Sequence, residues 1–326
     1  MRIAVIGGGA IGCLIAARLS STPARISLVV RRPDAAADIR QNGIRMATPG
    51  GRITRTPVHV TDDPLSIGPQ DLAILCVKAY ALKGTLSALS ALSGPDTVVM
   101  PVVNGIPWWY PAAQPAPLAG RTLASVDPGG ILSQAIDPTR LIGALTYVAV
   151  ENQDDGVIRH VNDQRFVFGD PAGRATPMLS TVTDLFRQAG FDAAMTGDIR
   201  SHIWTKLWGN LAFNPLSVLT GASLATLCQD PGIRAISVRM MEEAQRVADR
   251  LGVRFAMTIA ERIATSAAIG DFKTSMLQDF EGGRRLELEA ILASVIELAG
   301  IVGAPAPVLD TVLSLTELRA RNRIAA

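Results

Sequence analysis

A glycine-rich loop lies between a short apolar strand and an apolar helix at the start of the chain. Residues 2–6 are typical of a buried strand, residues 7–12 carry the spacing G-x-G-x-x-G, and mostly apolar residues run from 13 to 19. A second apolar strand follows at residues 26–30. This order of strand, loop, helix and strand predicts a parallel α/β sheet whose first loop binds the pyrophosphate of a dinucleotide.

The glycines of this loop have separate expected roles. Gly7 permits the tight turn, Gly9 lets the backbone approach the pyrophosphate, and Gly12 lets the helix pack on the strand. We predict that the whole loop contacts the cofactor, namely Gly7, Gly8, Gly9, Ala10, Ile11 and Gly12. A glycine turn that binds no ligand is the alternative.

Two arginines, Arg31 and Arg32, follow the second strand, where NAD-dependent proteins usually carry an acidic residue. A guanidinium pairs with the 2′-phosphate of NADP(H), whereas a carboxylate would repel it. We therefore expect NADPH as the cofactor. Arg32 is the better candidate for an ordinary surface charge, because Pro33 turns the chain away.

The composition excludes several classes of protein. The chain has 326 residues, 48% of them hydrophobic, and a formal net charge of +2. This length suits two domains, and the small charge indicates no nucleic-acid partner. Neither a membrane-spanning stretch nor a signal peptide is recognisable. The three cysteines and three histidines have no disulfide or metal-ligand spacing, so we expect a cytoplasmic protein without a metal site.

Strand and helix patterns alternate in the first part of the chain, and helix patterns dominate from about residue 198. Further strands are predicted at residues 71–77 and 97–103, and two more around a turn at 49–51, over 43–46 and 53–60. The stretches 141–150, 156–161 and 165–168 predict that the sheet continues with antiparallel strands.

The second part predicts five helices, over residues 199–213, 233–251, 257–270, 284–298 and 308–320. We therefore expect an α/β Rossmann-type N-terminal domain, residues 1–196, followed by an all-α C-terminal domain, residues 197–326. The apolar helices are compatible with a homodimer.

Polar residues that could carry chemistry occur at strand ends and on one helix. Lys78 and Asn104 follow two predicted strands, at the sheet edge where ligands of α/β proteins bind. Lys206, Asn210 and Asn214 fall on one face of an otherwise apolar helix, where polar groups need partners such as a bound ligand. A solvated lysine, an Asn-Gly turn and capping asparagines are the structural alternatives.

Two further candidates lie near the predicted helix at residues 284–298. Ser275 offers a hydroxyl in a loop before a helix, and Glu287 falls in the first turn, where the helix dipole favours a carboxylate. Taken singly, each would more often be a capping group than a ligand. His160 lies in a predicted strand, and His202 lies outside the helix face that carries Lys206. We therefore assign no catalytic role to either histidine.

These motifs together resemble the ketopantoate reductase family. The matching residues are Gly7 to Gly12, Arg31, Val77-Lys78-Ala79, Asn104-Gly105, Lys206-Leu207, Asn210, Asn214, Ser275 to Asp279, Arg285 and Glu287. The resemblance implies NADPH-dependent reduction of a small 2-oxo acid, ketopantoate to pantoate above all, in a cleft between a Rossmann-type and a helical domain.

The resemblance also implies a role for each residue. Arg31 would bind the 2′-phosphate, and Lys78 and Asn104 would line the cofactor side. Lys206 would be the catalytic general acid, with Glu287 also engaging substrate. The substrate's hydroxyl and carboxylate would be held by Asn210, Asn214 and Ser275, with Asn104 close by.

Two features keep the substrate open. Leu286 stands where the family usually has Thr, and residues 106–117 are unusually aromatic and proline-rich. This segment reads as a loop, compatible with a lid or with a contact between molecules. A reductase of another 2-oxo acid, a dehydrogenase of the opine type and a non-catalytic NADPH sensor are the alternative functions.

Overall fold

The computed structural model describes residues 1–47, 52–152 and 156–324, which form two compact units. The first unit comprises Met1–Val103 and Ile131–Ile199, and the second comprises Asn104–Gly130 and the chain from Arg200 onwards. The described strands are β1 (Arg2–Ile6), β2 (Arg25–Val29), β3 (Ile44–Ala47), β4 (Ile53–Thr56), β5 (His59–Thr61), β6 (Leu72–Leu75), β7 (Val98–Pro101), β8 (Gly143–Thr146), β9 (Ala149–Asn152), β10 (Ile158–Asn162), β11 (Arg165–Gly169) and β12 (Asp192–Met195).

The described helices follow the same chain order. They are α1 (Ala10–Leu19), α2 (Pro33–Asn42), α3 (Leu86–Leu92), α4 (Ile131–Ala135), α5 (Pro177–Gln188), α6 (Ile199–Thr220), α7 (Leu224–Gln229), α8 (Pro231–Arg250), α9 (Ile259–Ala267), α10 (Ser275–Glu281), α11 (Ser294–Val302) and α12 (Pro307–Ile324). A 3₁₀ segment covers Ala79–Thr85, and a π-helical turn, Glu289–Ala293, leads directly into α11.

A parallel five-stranded sheet in the order β5-β2-β1-β6-β7 forms the centre of the first unit. The strands β1 and β6 are buried on both faces, as their continuous apolar sequence requires. From β1 the chain goes to β2 on one side, and β6 pairs on the other, so the strand order reverses beside β1. The carboxyl end of β1 at this reversal is the edge where α/β sheets bind ligands.

The later strands do not extend this sheet, so that part of the prediction is wrong. In the described residues they form two other sheets, β4-β3-β10-β9 and β12-β11-β8. The pairs β9–β10 and β8–β11 are antiparallel, as expected. Only the isolated bridges Val99–Leu141 and Val102–Ala144 connect β7 with the stretch around β8, which is too little for a continuous ladder. The expected turn at 49–51 lies outside the described residues.

The second unit consists mainly of helices, and the expected fold class is confirmed. Helix α6 continues past Pro215 to Thr220, beyond the predicted end at residue 213. Leu216 and Val218 are buried, and their packing outweighs the backbone hydrogen bond that Pro215 cannot donate. In the described part of the chain, no helix combines the length and the apolar character that crossing a lipid bilayer would need.

The segment Asn104–Gly130 groups with the helices, whereas the expected division at residues 196 and 197 leaves it in the α/β domain. The aromatic side chains of this segment are buried inside the second unit, and Tyr110 is fully inaccessible to solvent. Trp204 on α6 donates its indole N–H to the Tyr110 hydroxyl oxygen at 2.7 Å, and the Arg200 guanidinium donates to the Tyr110 carbonyl. The aromatic segment is therefore part of the core of this unit.

Candidate active site

The glycine loop between β1 and α1 has the geometry that a dinucleotide pyrophosphate requires. Gly7 has a φ of +117°, and a Cβ there would lie 2.4 Å from the carbonyl oxygen of Cys76. At Gly12 a Cβ would lie 2.0 Å from the Gly7 oxygen, so only glycine lets α1 approach the loop this closely. A Cβ on Gly9 would meet no protein atom within 4 Å. The exposed backbone at Gly9 and the N-terminus of α1 can therefore accept an anion.

The two arginines after β2 have different surroundings. Arg32 occupies the N-cap position of α2, and its guanidinium pairs with the Asp34 carboxylate across 3.6 Å. Arg31 is exposed, and it makes no hydrogen bond or ion pair with any described residue. This difference leaves the Arg31 guanidinium available for a phosphate. Lys78 is half-buried and lies three residues after the end of β6, directly before the 3₁₀ segment.

The turn that carries Asn104 is fixed to the π-helical turn of the second unit. Ile106 donates its backbone N–H to the carbonyl oxygen of Ala290 at 2.8 Å. Gly105 has a φ of +81°, and a Cβ there would lie 2.1 Å from the same oxygen. No other residue could adopt this turn so close to Ala290, so Gly105 determines where Asn104 lies.

Lys206 and Asn104 are in direct contact. The ammonium Nζ donates a hydrogen bond of 2.7 Å to Oδ1 of Asn104, and this is its one hydrogen bond to a described residue. Two of its N–H groups can therefore reach a ligand. Burial, aided by the positive charge of Arg262, lowers the pKa of Lys206 from 10.5 to about 8, although Glu287 opposes the shift.

Asn210 and Asn214 continue the polar face of α6 one and two turns beyond Lys206. Asn214 is 5% exposed, and Asn210 is partly buried. Among the described residues, neither side-chain amide has a hydrogen-bond partner. A buried amide without a protein partner costs free energy unless water or a ligand satisfies it. These two amides are therefore suited to hold a polar ligand.

Ser275 lies on a helix, so its placement in a preceding loop is wrong. Thr274 is the N-cap of α10, because its hydroxyl accepts the N–H of Leu277, and Ser275 is the first helical residue. The Thr274 hydroxyl also bonds that of Ser217 at 2.6 Å, and the Ser217 hydroxyl donates to the carbonyl of Asn214. This chain of hydrogen bonds fixes the start of α10 beside the polar face of α6, where Ser275 is exposed.

Glu287 precedes its helix instead of lying in the first turn. The sequence predicts a helix over residues 284–298, but residues 284–287 have no regular secondary structure and the helical conformation begins at Leu288. Two consecutive glycines, Gly282 and Gly283, end α10 just before this stretch and favour a non-helical chain there. Glu287 is 5% exposed, and its negative charge acts on Lys206.

Arg262 is a further charged residue near Lys206, because its positive charge acts on that ammonium, and it was not among the predicted site residues. It lies on α9, and its guanidinium packs on Gly209 of α6, where a Cβ would lie 2.1 Å from Nη2. Gly209 is the sequence feature that could have indicated this contact, because a glycine inside an apolar helix costs about 1 kcal/mol relative to alanine and is expected mainly where close packing requires it.

His160, to which no catalytic role was assigned, forms a hydrogen bond with the backbone oxygen of Asp163.

The chain matches known proteins over nearly all of its length. Residues 3–173 match the family model described as ketopantoate reductase PanE/ApbA, and residues 198–320 match its C-terminal model. A 2-dehydropantoate 2-reductase of Mesorhizobium japonicum is 41% identical over 323 residues, which cover 99% of each chain.

Solved structures show the same similarity. A protein of Ralstonia solanacearum MolK2 shares 37% identity with a TM-score of 0.92, covering 99% of this chain and 98% of that one. D-mandelate dehydrogenase, solved with NADH and anilino(oxo)acetate, shares the fold at 18% identity, with a TM-score of 0.83 and 99% of each chain covered. The expected resemblance is thus confirmed, and the chain belongs to the ketopantoate reductase family of oxidoreductases.

Proposed function

We propose that this protein reduces a small 2-oxo acid to the 2-hydroxy acid with NADPH, and that the preferred substrate is ketopantoate. The observation that carries the proposal is the ammonium of Lys206, which Asn104 holds at 2.7 Å and whose pKa is lowered to about 8. The 41% identity to the Mesorhizobium reductase over the whole chain supports ketopantoate as the substrate.

Lys206 is the general acid of the proposed reaction. When bound, a reduced nicotinamide supplies the hydride that the keto carbon accepts. The keto oxygen then gains negative charge, which the Lys206 ammonium stabilises, and it takes a proton from Nζ, so that one N–H bond breaks and one O–H bond forms. A pKa near 8 keeps the group mainly protonated at neutral pH and still able to release its proton.

The surrounding residues orient Lys206 and the substrate. Asn104 accepts one N–H of the ammonium and thereby directs the other two towards the ligand. Glu287 stabilises the protonated form of Lys206, so that burial does not discharge it. The amides of Asn210 and Asn214 would hydrogen-bond the substrate's polar groups, with Ser275 at the start of α10 as a third neutral contact.

The residues of the glycine loop fit a dinucleotide. The open backbone at Gly9 leaves room for the pyrophosphate, and the amides at the start of α1 would donate to it. Arg31 would pair with the 2′-phosphate, since neither an ion pair nor a hydrogen bond to a described residue engages its guanidinium. Lys78 would add a positive charge near the same sheet edge.

A substrate panel tests this function. NADPH oxidation is measured with ketopantoate, phenylglyoxylate, pyruvate and 2-oxoisovalerate, and with NADH in place of NADPH. We expect the highest kcat/KM with ketopantoate and NADPH. A preference for phenylglyoxylate would point to a bulky 2-oxo acid, as the shared fold with D-mandelate dehydrogenase allows. No turnover with any acid would contradict the proposal and favour a cofactor-binding sensor.

The pH dependence provides a second test. The protonated Lys206 is the active form, so kcat/KM should decrease as the pH rises through about 8. A decrease that begins only near the ordinary lysine pKa would contradict general-acid catalysis by a buried ammonium.

A further inference from the structure

The guanidinium of Arg262 lies against the same helix as Lys206. A Cβ on Gly209 would lie 2.1 Å from Nη2 of Arg262 and 2.7 Å from Cζ, so the guanidinium rests on the bare backbone of α6. Gly209 stands three residues after Lys206 and directly before Asn210. The guanidinium therefore borders the polar face of α6.

Ser266 on α9 and Gly209 on α6 hold this guanidinium in a defined orientation. Nη1 donates to the hydroxyl of Ser266 at 3.2 Å, and the Ser266 hydroxyl donates in turn to the Arg262 carbonyl. Nε is buried, and Ser266 is 2% exposed. A rigid planar fork of N–H donors is the group that best matches a carboxylate.

The charges of the cluster favour a bound monoanion. Arg262 and Lys206 bring two positive charges to the polar face of α6, and Glu287 brings a negative charge that acts on Lys206. The two cations influence each other, since the Arg262 charge lowers the pKa of Lys206. Bringing a negative group between such charges relieves their repulsion. A 2-oxo acid at neutral pH carries one negative charge, beside the keto oxygen.

We propose that Arg262 determines the specificity of this site for acids by binding the carboxylate of the 2-oxo acid while Lys206 engages its keto oxygen. This inference rests on the proposed function and adds the group that recognises the substrate's charge. Asn210, Asn214 and Ser275 are neutral, and they can orient a carboxylate but cannot neutralise it. The ionic part of recognition then belongs to Arg262.

Binding of an unreactive acid tests Arg262 without turnover. Oxamate, a monoanion of the 2-oxo acid shape, and oxamide, its neutral counterpart, are titrated into the full-length protein by calorimetry. For Arg262→Met we expect the oxamate Kd to rise about 10- to 100-fold, as for a lost charge-assisted hydrogen bond, with little change for oxamide. Arg262→Lys keeps the positive charge but loses the planar set of N–H donors, so its oxamate Kd should lie between those of the unaltered protein and Arg262→Met.

Two further variants separate recognition from folding. Arg254→Met removes an exposed arginine near the start of α9 and should leave both Kd values unchanged. Gly209→Ala displaces the guanidinium and replaces a helix-destabilising glycine, so it should weaken oxamate binding without unfolding the protein. If Arg262→Met does not fold, this variant alone decides the question.

The outcomes distinguish the inference from the proposed function. Equal effects on oxamate and oxamide, or no effect on either, would overturn the assignment of Arg262, as would an absence of oxamate binding to the unaltered protein. If oxamate binding depends on Arg262 but no 2-oxo acid is turned over, the anion site stands and the reductase function fails. With turnover, Arg262→Met should raise KM for ketopantoate more than for its methyl ester.

Discussion

Replacing Lys206 by methionine should inactivate the protein and at the same time stabilise it. The folded protein lowers the pKa of this ammonium from 10.5 to about 8, which means that it holds the charged form less well than water does. A shift of this size corresponds to about 3 kcal/mol at neutral pH. The loss of the hydrogen bond to Asn104 removes about 1 kcal/mol of stability, so we expect the free energy of unfolding to increase by about 2 kcal/mol in total.

The pH dependence of this gain identifies its cause. Because the folded pKa lies below the unfolded one, the unfolded chain binds more protons between pH 8 and 10.5, and stability rises with pH in that window. The penalty from Lys206 is complete below about pH 8 and disappears towards pH 10.5. The advantage of the methionine variant should therefore be largest at neutral pH and decrease as the pH rises from about 8.

Thermal unfolding of Lys206→Met at pH 7 and pH 10 measures this effect. At pH 7 we expect the Tm to rise by about 3 °C, with a clearly smaller rise at pH 10. The kcat should fall by about 100-fold or more if Lys206 is the general acid. Lys83→Met, which removes an exposed lysine, serves as the control. A Tm that falls, or a rise of equal size at both pH values, would refute the reasoning about the buried charge.

Five further variants test the cofactor and substrate sites. Arg31→Ala should weaken the binding of NADPH much more than that of NADH in fluorescence titrations. Arg32→Ala is the control and should weaken the binding of neither cofactor, because the Arg32 side chain pairs with Asp34. An equal loss of affinity for both cofactors in Arg31→Ala would mean that this guanidinium does not bind the 2′-phosphate. Gly9→Ala should leave the Tm unchanged but reduce cofactor affinity. Gly12→Ala should lower the Tm, because its Cβ would lie 2.0 Å from a backbone oxygen. A lower Tm for Gly9→Ala together with an unchanged Tm for Gly12→Ala would contradict the assigned roles. Asn214→Ala should raise KM for ketopantoate with little loss of stability, because its amide has no partner among the described residues, and a large drop in Tm with unchanged KM would assign it to the core.

Much of the fold follows from local sequence patterns. The glycine loop, its two strands and the helices α8, α9 and α12 were predicted within a few residues, because apolar periodicity and glycine placement act over one or two turns. The short helices α7 and α10 were not predicted. The prediction was wrong where contacts between residues distant in the sequence determine the structure. The strands after β7 pair in separate sheets, and α6 continues through Pro215 because its next residues are buried.

The sequence alone determined the βαβ unit, the change to helices near residue 198 and the polar face that begins at Lys206. Only the tertiary structure decided that Asn104, 102 residues earlier in the chain, holds the ammonium, and that Arg262 packs on Gly209. The physical reason is that backbone propensity and periodicity depend on near neighbours, whereas burial and charge coupling depend on groups that folding brings together. The lowered pKa of Lys206 is therefore a property of the folded protein that no stretch of its sequence contains.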